Sequence, residues 1–200
     1  MDFIFNALLG AAARRKLPYT RVAYLESTGT QYIDTGVAPD FAGGDEIEIK
    51  YTLAAFTGAS PCVFGSRETG VKNGVYLLAG NGTAADNSGY SAFTAPTSGG
   101  VTLKIDDASI VANGTTSTMP RRVTCGLPMF LFALNNYGTG TYGIYNGLQI
   151  AEWTYKQNGA VAQHLVPALD ANNVPCFWDT VSNAPRYNAG TGTFNYGAAV

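Results

Sequence analysis

The order of apolar and polar positions changes character once along the chain, near residue 18. Before that point Asp2 can cap a helix, residues 3–13 are almost wholly apolar, and Arg14, Arg15 and Lys16 suit a helix C-terminus. Pro18 then stops the helix. After it the period is two. In residues 45–53, Ile47, Ile49, Tyr51 and Leu53 alternate with Glu46, Glu48, Lys50 and Thr52, which predicts a half-buried antiparallel strand. Residues 101–105 alternate likewise, with Val101, Leu103 and Ile105 inward. Residues 129–134 form the continuous apolar run expected of a strand buried on both faces, and 61–66, 75–79, 121–125, 148–155 and 175–179 are further candidates. Asn-Gly pairs recur at residues 73, 81, 113, 146 and 158. Both central positions of a tight hairpin turn need φ > 0, which Asn and Gly adopt at least cost. About a dozen short strands with frequent turns predict an all-β, two-sheet antiparallel sandwich or jelly roll. It would occupy residues 19–200, preceded by a short N-terminal helix.

Composition narrows the picture. The 200 residues are 46% hydrophobic and 13% charged, against about 25% charged in an average soluble domain. So apolar a chain is not disordered, and at this length a domain buries about 70% of its unfolded surface. Twelve basic residues against fourteen acidic ones leave no counterion-releasing surface, which excludes a generic nucleic-acid binder. No apolar run reaches the ~20 residues that span a bilayer. The positive charges at 14–16 follow the apolar stretch, whereas a secretory signal carries them in front. Residues 1–18 therefore read as an attachment or oligomerisation element, with Phe3, Ile4, Phe5, Leu8 and Leu9 as its contact residues. A membrane-surface anchor and a helix packed on its own domain are the alternatives. Cys62, Cys125 and Cys176 are odd in number and widely spaced. They read as buried thiols rather than zinc ligands, one disulfide plus one thiol being the other reading.

Two stretches carry a family resemblance. The first is residues 24–36, Tyr-Leu-Glu-Ser-Thr-Gly-Thr-Gln-Tyr-Ile-Asp-Thr-Gly. The second runs from 147 to 194 and contains Leu165-Val166-Pro167-Ala168, Phe177-Trp178-Asp179-Thr180-Val181 and Tyr187-Asn188-Ala189-Gly190-Thr191-Gly192-Thr193-Phe194. In this order they resemble the laminin-G-like, concanavalin-type jelly-roll family, common in gut-bacterial surface proteins and in phage virion proteins of the same communities. The resemblance spans about residues 19–195. It implies two packed, curved antiparallel sheets and supplies no catalytic set. Asp34 and Asp179 within it are expected to bond local backbone N–H groups, as Asp does in turns. A short apolar leader before such a module resembles phage appendage proteins, in which the leader attaches the module to the particle.

Candidate chemistry is sparse. Strand alternation would put Glu46 and Glu48 on one face, about 6.7 Å apart along the strand, a spacing that could serve a glycosidase. Glycosidases of this fold resemble Glu-x-Asp-x-x-Glu, and here Lys50 and Tyr51 stand near where the last Glu would fall. A solvated outer face is the expected role of these acids. Gly138-Thr-Gly140-Thr-Tyr-Gly143 fits the letter of a dinucleotide loop, but no helix pattern follows it, so a glycine-rich turn between strands is expected. His164 has no Ser or Cys elbow to serve and reads as a strand-surface histidine. Asn81-Gly-Thr83 and Asn113-Gly-Thr115 have the form of glycosylation acceptors but read as turns. Asp86, Asp106 and Asp107 lack calcium-loop spacing, so no cofactor is expected, with Ca²⁺ a minor alternative. Among the aromatics of the C-terminal half, Tyr137, Tyr142, Tyr145 and Trp153 are the candidate sugar-stacking residues, core and inter-sheet packing being the other reading for each of them.

The expectation is a non-enzymatic phage virion structural or appendage protein on the particle surface. Residues 1–18 would hold it to other virion or self subunits, and the jelly roll would bind host or mucosal carbohydrate. A bacterial cell-surface or secreted glycan-binding adhesin is the alternative, and a glycoside hydrolase a minor one.

Overall fold

The computed structural model describes residues 17–53, 62–68, 74–78, 83–86, 89–92, 98–106, 108–118 and 124–200. The expected helix over residues 3–13, with Phe3, Ile4, Phe5, Leu8 and Leu9, lies outside them. Among the described residues the chain is nearly all strand, arranged as two sheets of eleven and eight strands. The larger sheet runs through Thr115–Thr118, Ser109–Ala112, Gly99–Ile105, Glu46–Leu53, Asn146–Gln157, Ala160–Leu169, Pro175–Asp179 and Ala184–Tyr187. The smaller runs through Gly140–Tyr142, Leu134–Asn136, Cys62–Arg67, Gly74–Leu78, Thr83–Asp86 and Gly89–Ala92.

The predicted alternation of Glu46–Leu53 is the burial pattern observed. Ile47, Ile49, Tyr51 and Leu53 are buried, and the residues between them face outward. The inward set meets Val63, Phe64, Val75 and Leu77 of the smaller sheet in one core. Phe64 and Trp153 join the two sheets edge to face, their ring centroids 5.2 Å apart. Each such side chain contributes about 1.5–3 kcal/mol by burial. The fold is thus a two-sheet β-sandwich. All three cysteines are buried free thiols.

Asn113-Gly114 (φ 47°, 83°) and Asn158-Gly159 (φ 50°, 77°) are two-residue hairpin turns with both φ positive. Asn146-Gly147 is different. It lies inside the Asn146–Gln157 strand, with Gly147 at φ 86° where the pairing register shifts. The pairs at 73 and 81 begin at residues outside those described. No strand forms at Thr124–Cys125, where Thr124 makes only an isolated bridge to Asp40.

The apolar run 129–134 is not one strand. Phe130–Leu131 pairs antiparallel to Cys62–Arg67, while Leu134–Asn136 pairs parallel to the same strand. The reversal occurs at Phe132, whose φ is 66°. Its ring is fully buried against Phe194, with centroids 4.9 Å apart. Packing outweighs the cost of the left-handed backbone, and the run is continuously apolar because every residue of it but the half-buried Phe130 is buried.

The two stretches quoted for the family resemblance meet in space. Gln31 is buried, and its Oε1 accepts from Thr28 N at 2.7 Å and Thr28 Oγ1 at 3.1 Å. Its Nε2 donates to Thr30 Oγ1 at 2.9 Å and across to the carbonyl of Thr191 at 3.0 Å. Thr191 N donates back to Thr30 O, and Ala189 N to Tyr32 O. Gly190 is required here because a Cβ would lie 2.1 Å from Thr30 O. Asp34 Oδ1 accepts from Gly36 N, and Asp179 Oδ1 from Val181 N, the turn roles expected of both.

Gly65, in the Cys62–Arg67 strand, has φ 151°, and a Cβ there would lie 2.2 Å from Tyr76 Cβ. Gly65→Ala is expected to cost about 3 kcal/mol or more, read as a lowered urea midpoint at unchanged m-value.

Candidate functional site

The sequence candidates separate. Trp153 is fully buried in the core; it is therefore corrected from a sugar-stacking residue to a packing residue. The cause is a register shift in the Asn146–Gln157 strand between Ile150 and Glu152. It changes the phase of alternation, so that Trp153 and Tyr155 turn inward after Ile150. Tyr145 is half-buried. Tyr137 and Tyr142 come together on the Leu134–Tyr142 hairpin, whose strands pair Leu134 with Tyr142 and Asn136 with Gly140.

That hairpin is the glycine-rich loop of the sequence. Tyr137 (φ 62°) and Gly138 (φ 69°) make its turn, and Gly138 N donates to the buried Asn135 Oδ1. No helix follows, so the loop has no anion-binding dipole. On one flank the Arg67 guanidinium lies 4.9 Å from the Tyr137 ring centroid and 5.7 Å from that of Tyr142, within cation–π range. Arg67 Nε donates to Asn136 Oδ1 at 2.7 Å, which fixes the guanidinium in place. Tyr142 is 51% exposed.

On the other flank is an open groove of about 420 Å³ that composition did not reveal. Tyr32, Asp34, Leu127, Phe130 and the backbone of residues 138–140 line it. The half-buried rings of Tyr32 and Phe130 lie 4.7 Å apart and are tilted by 32°. Asp34 is exposed at the mouth. Pairing of Ile33–Asp34 with Phe130–Leu131 places these rings side by side.

The outer face of the larger sheet is charged but internally matched. Lys156 Nζ is 2.6 Å from Glu48 Oε1 and 3.5 Å from Glu46 Oε2. Lys104 is 3.2 Å from Glu46, and Lys50 2.6 Å from Glu152. Glu48 holds the Lys156 ammonium above its usual range. Burial pushes the Glu152 carboxyl up, but bonds from Lys50 and His164 outweigh it and leave the group below its usual range. His164 sits on this face, with Nε2 3.0 Å from Glu152 Oε1 and Nδ1 2.8 Å from Thr180 Oγ1. Glu46 and Glu48 thus lie on the expected solvated face, but Lys104 and Lys156 of neighbouring strands balance them, while Lys50, the expected partner, pairs with Glu152.

Several other titratable groups hold local structure or are buried. Tyr155 donates to the buried Asp45 carboxylate, and burial first, then Asp45, pushes the phenol up. Asp45 also accepts from Asp40 N, closing the turn at Phe41–Gly43. Burial pushes the Cys62 thiol up and the Cys176 thiol up to about 12. Asp106 Oδ1 accepts from Ala108 N and from Ser109 N and Oγ. Among the described residues no group of three or more His, Cys, Asp or Glu could hold a metal, and no helix is long and apolar enough to cross a membrane. Neither a protein-family model nor a curated protein matches the chain.

Trp153→Ala is expected to cost about 3–5 kcal/mol, whereas Tyr142→Ala should stay within about 0.5 kcal/mol of the parent. Chemical denaturation of both variants checks the assignment of core and surface.

Proposed function

We propose that the chain is a non-enzymatic display module of a phage virion appendage. Residues 1–18 attach it to virion or self subunits, and the sandwich presents a carbohydrate-binding surface around the Leu134–Tyr142 hairpin. The observation that supports this best is the contrast between two outward surfaces. Glu46, Glu48 and Glu152 on the larger sheet are paired with lysines on neighbouring strands. The hairpin instead leaves Tyr142 exposed beside Arg67 and opens a ring-lined groove on its far side. Aromatic faces beside amide and hydroxyl groups suit sugars, whose C–H faces stack while their hydroxyls take hydrogen bonds. The resemblance to the laminin-G-like family supports the same reading.

A bacterial surface or secreted glycan-binding adhesin is the second reading. It shares the binding surface and differs in what holds the module. Under either reading the sandwich folds without residues 1–18, a reading supported by the first described strand lying at Thr20–Arg21.

Deleting residues 1–18 is expected to leave the melting transition within a few degrees of the full chain while abolishing oligomers and incorporation into particles. Light scattering and virion co-sedimentation read the result. An unfolded truncation, or one that assembles normally, would contradict the assignment of those residues.

A further inference from the structure

We propose that the groove between Tyr32–Phe130 and the 138–140 turn is the primary subsite for one neutral pyranose residue, an inference that rests on the carbohydrate-binding reading above. The ring pair supplies an apolar wall, and its half-burial leaves it able to take a sugar's C–H face. Across from it the turn presents little bulk. Gly140 has nothing within 4 Å of where a Cβ would be, so a ligand can approach its backbone. The Thr139 hydroxyl donates to Asn136 O and keeps acceptor capacity for a ligand hydroxyl.

Asp34 decides the chemical class. Its Oδ1 is used by Gly36 N at 2.8 Å, and a carboxylate has about four lone-pair sites on its two oxygens. A carboxylate accepts only, so it selects a donor, and neighbouring sugar hydroxyls are paired donors of the right reach. Among the described residues the lining contains this one carboxylate and no basic side chain. Arg186 packs beside Gly36, outside the lining. Sugars carrying carboxylate or sulfate would meet repulsion, so the subsite takes neutral hexoses. At about 420 Å³ the groove falls in the range of small-ligand sites, roughly 300–1,000 Å³.

The position of the groove is built rather than incidental. The Tyr32 backbone is pinned on both sides, with its N–H bonded to Asn188 Oδ1 and its carbonyl accepting from Ala189 N. The opposite wall is held by Asn135, which is buried and bonds Pro128 O and Gly138 N. Both walls are therefore set before any ligand arrives.

The test uses the full chain, isotopically labelled, with millimolar methyl glycosides of glucose, galactose, mannose and N-acetylglucosamine. At least one is expected to shift the amide resonances of Gly138, Thr139 and Gly140. Asp34→Asn retains an acceptor for Gly36 N and should weaken that binding by about fivefold or more, the loss of one charge-assisted bond. Tyr32→Ala should weaken it by about tenfold, and Val161→Ala, an exposed change on the larger sheet outside the groove, should leave it within about twofold. Unchanged affinity in Asp34→Asn, with shifts centred instead on Arg67 and Tyr142, would overturn the groove and leave the carbohydrate reading standing. No response to any of the four glycosides would overturn both. Shifts produced by Nα-acetyl-lysine amide but by no sugar would assign the groove to a cationic protein side chain and overturn the proposal.

Discussion

One buried amide ties together two segments that lie 160 residues apart in sequence. Gln31 has its carboxamide surrounded by Thr28, Thr30 and the carbonyl of Thr191. A net hydrogen bond contributes roughly 0.5–1.5 kcal/mol, so the Nε2 bond to Thr191 O adds stability while the segment around residue 191 is docked. Docking in turn needs Gly190, where any side chain would collide with Thr30 O. Ser, Thr, Gly and Asn recur in these segments because short polar side chains and bare backbone can pass close to one another and still pair every buried group. The clasp fixes Tyr32 and Ile33, and through the pairing of Ile33–Asp34 with Phe130–Leu131 it fixes the edge of the smaller sheet.

Consequences for the surface follow from that edge. Phe130 is positioned against Tyr32, the chain reverses at Phe132, and the Leu134–Tyr142 hairpin emerges beside the ring pair. The larger sheet has the opposite character. Its outward residues on Glu46–Leu53, Gly99–Ile105 and Asn146–Gln157 neutralise each other across strands. Such partly exposed pairs contribute only ~0–1 kcal/mol each, and they match the glutamates of these three strands, while Glu26 on the adjoining Leu25–Thr28 strand takes hydrogen bonds from Gln149 and Asn195. The proposed recognition surface lies at the hairpin end of the smaller sheet.

Much of the fold was legible in sequence where one physical rule acted alone. Glu46–Leu53 alternates without interruption, and Pro175–Asp179 has the predicted bounds. Asn113-Gly114 and Asn158-Gly159 turn as the pair demands. Legibility failed where tertiary contacts set the phase. Ala160–Leu169 carries Gln163 at a buried position, where its Nε2 bonds Thr35 O, and that polar residue hides the strand period. Trp153 could not be placed because the register shift after Ile150 depends on the neighbouring strand. The groove was invisible for a related reason. Its walls come from residues near 32 and near 130–140, and no local pattern records their contact. Tyr137 and Tyr142 were legible as surface aromatics, but Arg67, which lies over both rings, carried no signal of its own.

The account turns on the clasp being part of the cooperative fold rather than a loosely laid segment. Native-state hydrogen exchange at the amides of Thr28, Ala189 and Thr191 tests this most directly. These amides are bonded to Gln31 Oε1, Tyr32 O and Thr30 O respectively. The account predicts that all three exchange only through global unfolding, with the same free energy as core amides of Glu46–Leu53. Exchange of Ala189 and Thr191 at rates of an unprotected chain, while the core strands stay protected, would contradict it.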